Sequence, residues 1–298
     1  MYNVVVCVSI SDISRLFSYR HTGMMFMVDP GADATIGGMT STGASGTSAV
    51  KYGTMRENVL AMNAILPPTS ITSVCNEDTN DTKKPHAVHL GCNALKSSAG
   101  YNLPALLTGS EGTLGVITDV KVKIHPVPAH TIAASCAFDD LHSAAEAVAM
   151  IKMMGIPISR IELLDEQSIQ AFNKTLCDDD IIKPMEVKPH LFLEFASHSE
   201  TSVMEDLTAA QSICVEEFQA TNFESASDES TRQSLWAARH RLYYSSIALR
   251  PGNSDDDDDE GATPQSTILT DVCVPLSSFA DIISATAQDV KELGVIGP

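Results

Sequence analysis

The chain changes its hydrophobic rhythm along its length. From Val116 to Ile124, the positions Val116, Thr118, Val120, Val122 and Ile124 alternate with Ile117, Asp119, Lys121 and Lys123, which predicts a half-buried strand. Beyond it the period switches back and forth between two and 3.6. Residues 131–138 (TIAASCAF) read as a strand. Ala144, Ala147, Val148, Ile151 and Met154 share one helical face, and Gly155 ends that helix. Strands follow at 158–164 and 191–195, with a helix marked by Val203, Leu207, Ala210, Cys214 and Phe218. The remainder reads as a long helix over 228–249, a strand at 267–274 and a last helix through Phe279, Ile282, Ile283, Thr286, Val290 and Leu293. Ser277 is the expected N-cap of that helix and Gly294 its stop. Strands interleaved with helices predict an α+β domain whose helices cover one face of a sheet. Residues 23–66 are rich in Gly, Ala, Ser and Thr and read as loop, then a helix or short strand.

Two stretches lack any period. Residues 67–94 are polar, and 251–267 contain Asp255 to Asp259 followed by Glu260. Both read as surface insertions, the second because a run of like charges repels itself and stays solvated. It lacks the spaced ligands and turn glycine of a calcium loop.

Composition narrows the function classes. With 298 residues and 44% apolar content the chain can bury a substantial core, on the order of two domains. Lys and Arg number 19 against 38 Asp and Glu, a net charge of −19. So acidic a chain is a poor ligand for nucleic acid or an anionic membrane, which both demand clustered cations. The single tryptophan, Trp236, argues against a base-stacking platform. No apolar run is long enough for a transmembrane helix. The seven cysteines, Cys7, Cys75, Cys92, Cys136, Cys177, Cys214 and Cys273, are widely spaced with no CxxC pair, so they read as mostly buried, reduced thiols. Residues 1–20 have neither a basic start nor a cleavage site of a secretory signal and are left unassigned.

The densest chemistry lies between Asp29 and Leu60, DPGADATIGGMTSTGASGTSAVKYGTMRENVL. Glycines without Cβ let a backbone approach a ligand and aim several N–H groups at one anion, and Ser41, Thr42, Ser45 and Thr47 add hydroxyl donors. A pyrophosphate suits such a loop; a flexible loop with turn glycines is the alternative. The spacing is neither that of a nucleotide triphosphatase loop nor that of a Rossmann fingerprint.

This segment resembles the FAD-contacting segment of flavin-linked, cytochrome-type D-lactate dehydrogenases, which share their FAD fold with vanillyl-alcohol oxidase. ALKSSAGYNLPALLTGSEGTLGVIT at 94–118 resembles the second FAD segment. IPISRIELLDEQSI, LFLEF, LWAARH, ALRPG and TDVCVPLSSFADII resemble the substrate domain, in order. The resemblance implies an α+β fold: part of an FAD-binding domain at 21–130, then an incomplete substrate domain with an antiparallel sheet at 131–298. It implies FAD held by Pro30, Gly31, Ala32, Gly37, Gly38, Ser45, Gly46, Thr47, Tyr52, Gly53, Glu111, Gly112, Gly115 and Ile117. It also implies D-lactate or a close D-2-hydroxy acid as substrate, cytochrome c as electron acceptor and a mitochondrial location. Arg239 is the implied carboxylate clamp, on one helical face with Trp236 and Tyr243; Arg250 is a weaker candidate. Glu162 and Glu194 read as structural hydrogen-bond partners. Family members carry an earlier FAD subdomain and a later two-histidine motif that binds a divalent metal. Neither is expected in residues 1–298, so the chain is expected to hold FAD weakly and to turn over D-lactate poorly. His86 and His89 do not replace that motif. The alternatives are a non-catalytic fragment, or a relative acting on glycolate or D-2-hydroxyglutarate.

Overall fold

The computed structural model describes residues 2–5, 7–13, 22–31, 33–67, 85–176, 184–248 and 270–295, without the side chains at 2–5, 86, 237, 238, 240, 243 and 248. The chain divides into two compact units, Met1–Val127 and Pro128–Pro298, just ahead of the boundary expected at 130.

The first unit runs β1 (Tyr2–Val5), β2 (Met24–Met25), α1 (Ile36–Thr42), α2 (Ala49–Tyr52), α3 (Met55–Asn58), β3 (Val59–Leu66), β4 (His86–Gly91), α4 (Leu103–Leu107), β5 (Val116–Val122) and β6 (His125–Pro126). Four strands form one antiparallel sheet in the order β1-β5-β3-β4, and β2 pairs with β6. The alternation read in β5 holds for Val120 and Val122, which are fully buried with Ile36, Met39, Met55 and Met62. It breaks at the start of the strand: Val116 is exposed and Ile117, expected on the other face, packs on the core, where the pairing with β3 shifts register. Two expectations change. The unassigned N-terminal residues supply an edge strand, in which Val4 lies opposite Val120. The polar segment 67–94 is not all loop, because His86–Gly91 pairs with β3. Val88 and Leu90 alternate there and pack on the core, a short period-two signal hidden by polar neighbours.

The second unit continues with β7 (His130–Ala137), α5 (Leu141–Met153), β8 (Arg160–Leu164), α6 (Glu166–Lys174), β9 (His190–Ser197), α7 (Glu200–Ser212) with a π-helical turn at Ile213–Glu217, β10 (Thr221–Ala226), α8 (Glu229–Ala248) and α9 (Phe279–Leu293). Its sheet is antiparallel in the order β10-β7-β9-β8. Helices cover both faces, not one. Ala133, Leu164 and Phe192 lie in one cluster with residues of α6 and α8, while the alternate positions Leu191, Leu193 and Phe195 are equally buried and α7 packs on β7 and β9. The unbroken apolar run of β9 is the signature of a strand covered on both sides.

Three smaller readings also change. β10 went unseen because its pattern is polar. Residues 270–274 are not a strand, and 267–269 lie outside the described residues. Ser277 lies inside a 3-10 turn at Leu276–Ser278, and Ser278 precedes α9 without a side-chain cap. Gly294 does end that helix, at φ 64°. The described thiols divide: Cys136 and Cys214 are buried, Cys92 is half-buried, and Cys7 and Cys273 are exposed, while Cys75 and Cys177 lie outside the described residues. The acidic insertion at 251–267 lies outside the described residues.

Candidate active site

The glycine-rich loop folds back on itself. Thr35 caps α1 by accepting from the Gly38 N–H at 3.1 Å, and Gly43 ends the helix in the left-handed region at φ 67°. The chain then runs beside Asp29. A Cβ on Gly46 would stand 1.8 Å from the Asp29 carbonyl oxygen, so no other residue fits. The Ser48 hydroxyl donates to the Met27 carbonyl, and Asp29 Oδ1 accepts from the Gly31 N–H at 3.0 Å. Residues 27–31 and 46–48 are thereby tied side by side. The N–H groups of Ser45, Gly46 and Thr47 find no acceptor among the described residues. Three adjacent free donors on a backbone turn suit an anion. Gly31, Gly38 and Ser45 are exposed and Pro30 and Thr47 half-buried, whereas Gly37 is buried within α1. Ala32 lies outside the described residues.

The second segment meets the end of α1. Gly109 N–H donates to Thr40 at 3.0 Å and Glu111 N–H to Ser41 at 2.9 Å, with Gly43 close against Gly109. Glu111, at φ 50°, and Gly112, at φ 78°, are both exposed. The Ser110 hydroxyl is buried with no partner among the described residues. Leaving it so costs about 1–3 kcal/mol unless a ligand satisfies it. Gly115 has room for no Cβ, which would meet the Ile65 carbonyl oxygen at 2.8 Å. Ile117 packs against the core of this unit.

Tyr52 and Gly53 are set by residues that the sequence reading did not single out. Thr54 and Glu57 form a capping box: Glu57 Oε2 accepts from the Thr54 N–H at 2.7 Å and its hydroxyl at 2.8 Å. Burial pushes the Glu57 carboxyl up, but these bonds from Thr54, with Arg56, outweigh it and hold it below the usual 4.5. Asn58, buried, donates from Nδ2 to the carbonyls of Tyr52 and Thr54, both at 2.8 Å. Its Oδ1 lies 3.2 Å from His125 Nε2, and the His125 ring packs on Tyr52 with centroids 4.9 Å apart. The T-x-x-E spacing at Thr54–Glu57 was the signal for the cap; nothing local marks His125.

In the second unit, Arg239 projects from α8 toward β8. Its Nε donates to Glu162 Oε2 at 2.9 Å, with the two side chains 35% and 22% exposed. Its terminal nitrogens have no acceptor among the described residues. One step along β8, Arg160 pairs with Glu194 at 3.5 Å and stacks over Trp236 at 5.7 Å. Trp236 is buried against Phe192, and its Nε1 has no partner among the described residues. The Tyr243 side chain and Arg250 lie outside the described residues. A guanidinium held by Nε still offers a fork of terminal N–H donors, the geometry that grips a carboxylate.

FAD fits the first unit, where the N–H groups at 45–47 and the buried Ser110 hydroxyl have no acceptor among the described residues and are available to a polar ligand. Among the described residues, no group of three His, Cys, Asp or Glu side chains comes together to hold a divalent metal. No helix among the described residues is long and apolar enough to cross a membrane.

Comparison with known proteins agrees with this reading. Residues 12–74 match the family described as FAD binding domain, and 127–297 the family described as FAD linked oxidases, C-terminal domain. A probable mitochondrial D-lactate dehydrogenase of Danio rerio is 39% identical over 94% of this chain and 50% of its own. The mitochondrial D-lactate dehydrogenase [cytochrome] of Arabidopsis thaliana is 34% identical over 90% and 41%. The chain thus spans about half the length of the curated relatives it matches. A solved alkyldihydroxyacetonephosphate synthase shares the fold, with a TM-score of 0.59 at 19% identity, over 82% of this chain and 44% of its own. With more than half of its residues matched by the C-terminal domain and its glycine loop by the binding domain, the chain belongs to the FAD-linked oxidase family.

Proposed function

We propose that this chain supplies the flavin cradle and the substrate clamp of an FAD-dependent dehydrogenase that oxidises D-lactate, or a close D-2-hydroxy acid, to the 2-oxo acid. The observation that carries the reading is Arg239: a half-buried guanidinium in the substrate unit, tethered by Nε and with its terminal nitrogens uncommitted among the described residues. A 2-hydroxy acid always presents a carboxylate, and Arg stays charged at any working pH. Bound FAD would accept the α-hydrogen as a hydride, while the hydroxyl proton leaves to a general base or solvent. The residues of this chain bind and orient. Ser45, Gly46 and Thr47 offer backbone donors to the pyrophosphate, Ser110 offers a hydroxyl, and Arg239 fixes the carboxylate end of the substrate. Gly31, Gly38, Gly53, Glu111 and Gly112 shape the same cradle.

The names of the relatives support cytochrome c as electron acceptor and mitochondria as the location. The test is a calorimetric titration of D-lactate into the purified chain. Saturable binding that Arg239→Ala abolishes, and that Arg239→Lys weakens about tenfold or more, is expected. Equal binding by wild type and Arg239→Ala would remove Arg239 from the reaction.

A further inference from the structure

We propose that Glu162 is the positioning residue of the substrate clamp: it holds Arg239 by Nε so that only the terminal fork of the guanidinium is offered to a carboxylate. The inference rests on the reading of Arg239 given above.

A carboxylate beside an anion-binding arginine needs an explanation. Glu162 places negative charge 2.9 Å from Arg239 Nε, which weakens the attraction for an incoming anion. As a stabilising contact the pair is worth little, because both side chains remain partly in water. What Glu162 does supply is orientation. A free arginine samples many rotamers and offers either its side edge or its end; with Nε engaged, only the end-on edge is left. Ordering the side chain before the substrate arrives removes that entropy cost from binding.

The surroundings keep the arrangement from rearranging. Glu162 lies on β8, the edge strand, opposite Phe192 on β9, whose ring packs on Trp236. Arg160 lies two positions along the same face of β8. It is engaged by Glu194, its cross-strand partner, and by the Trp236 ring, so it does not compete for Glu162. Each arginine therefore has its own carboxylate.

Charge and position predict opposite signs, which makes the proposal testable. The probe is D-lactate, titrated calorimetrically into the full 298-residue chain. If Glu162 only neutralised Arg239, Glu162→Gln would tighten binding. Positioning predicts weakening by up to about tenfold, the scale of ordering one rotamer-rich side chain on binding. The 15N–1H resonance of Arg239 Nε should be sharp and slowly exchanging in wild type and should broaden in Glu162→Gln. Glu194→Gln, which disrupts the neighbouring Arg160 pair and leaves the Glu162–Arg239 bond in place, should bind as wild type; equal weakening there would assign the loss to the sheet face as a whole and overturn the proposal. If Glu162→Gln does not fold, Glu162→Asp keeps the charge and shortens the reach, and only positioning predicts weaker binding. Unchanged or tighter binding by these variants, with Arg239→Ala still inactive in binding, overturns the role of Glu162 alone. An Arg239→Ala chain that binds normally overturns the clamp itself.

Discussion

In the first unit the candidate cradle is built of backbone: three N–H groups at 45–47 with no acceptor among the described residues, and glycines pressed against neighbouring carbonyls. In the second unit the candidate clamp is built of side chains, Arg239 matched to Glu162 from helix to strand and Arg160 to Glu194 across two strands. A backbone cradle tolerates no added atom but is indifferent to many side chains. A side-chain clamp tolerates small backbone shifts but depends on which charge sits opposite. The difference predicts how each unit fails under mutation.

The largest effect is expected at Gly46. Gly46→Ala would drive a Cβ into the Asp29 carbonyl, and overpacking on that scale costs about 3 kcal/mol, with loss of FAD binding. Gly31→Ala meets no atom within 4 Å and suffers only its left-handed backbone at φ 75°, about 1–2 kcal/mol. Urea denaturation with FAD titration measures both, and equal losses would break the contrast. Next comes the cap: Thr54→Ala should cost about 1 kcal/mol and loosen the turn at Gly53 without touching the second unit. A change in D-lactate affinity would show that the two chemistries are not separable.

A smaller effect is expected at Trp236. Trp236→Phe removes the stacking partner of Arg160, a loss of about 0.5–1 kcal/mol, but also removes a buried N–H that has no partner among the described residues, and the two oppose. A stability change beyond about 2 kcal/mol would mean that the indole nitrogen is satisfied in solution.

The least expected change is with pH, and it tests both units together. Burial lowers His190 below the usual 6.5, outweighing its bond to the Lys188 carbonyl, and burial with Lys123 lowers His125. Both stay neutral in the folded chain while the unfolded chain protonates them below about pH 6.5. The unfolded state then binds more protons, so stability present above that pH falls as the pH drops toward the lowered folded values. Denaturation midpoints at about pH 7.5 and 5.5 should show the fall, reduced in His190→Gln. An unchanged fall in that variant would exclude His190 as a source.

Local order was legible wherever one residue's own chemistry sufficed. The alternation at Val120 and Val122 in β5, the helical face ending at Gly155, the stop at Gly294 and the glycine density of 29–53 are all properties of short windows. Backbone conformation and burial period act within a few residues, and so they are written in the sequence. Partners distant along the chain were not. Residues 2–5 became an edge strand because Val122 and its neighbours, far along the chain, offered a free edge. Residues 86–91 paired despite polar flanks, and the apolar run of β9 was covered on both faces rather than one. The same division runs through the site. The helix spacing put Trp236 and Arg239 on one face, but only tertiary structure decided that Glu162 takes Nε and that Arg160 belongs to Glu194. Charge pairing acts over a few ångströms between elements brought together by strand pairing and helix packing, and no window of sequence contains both partners.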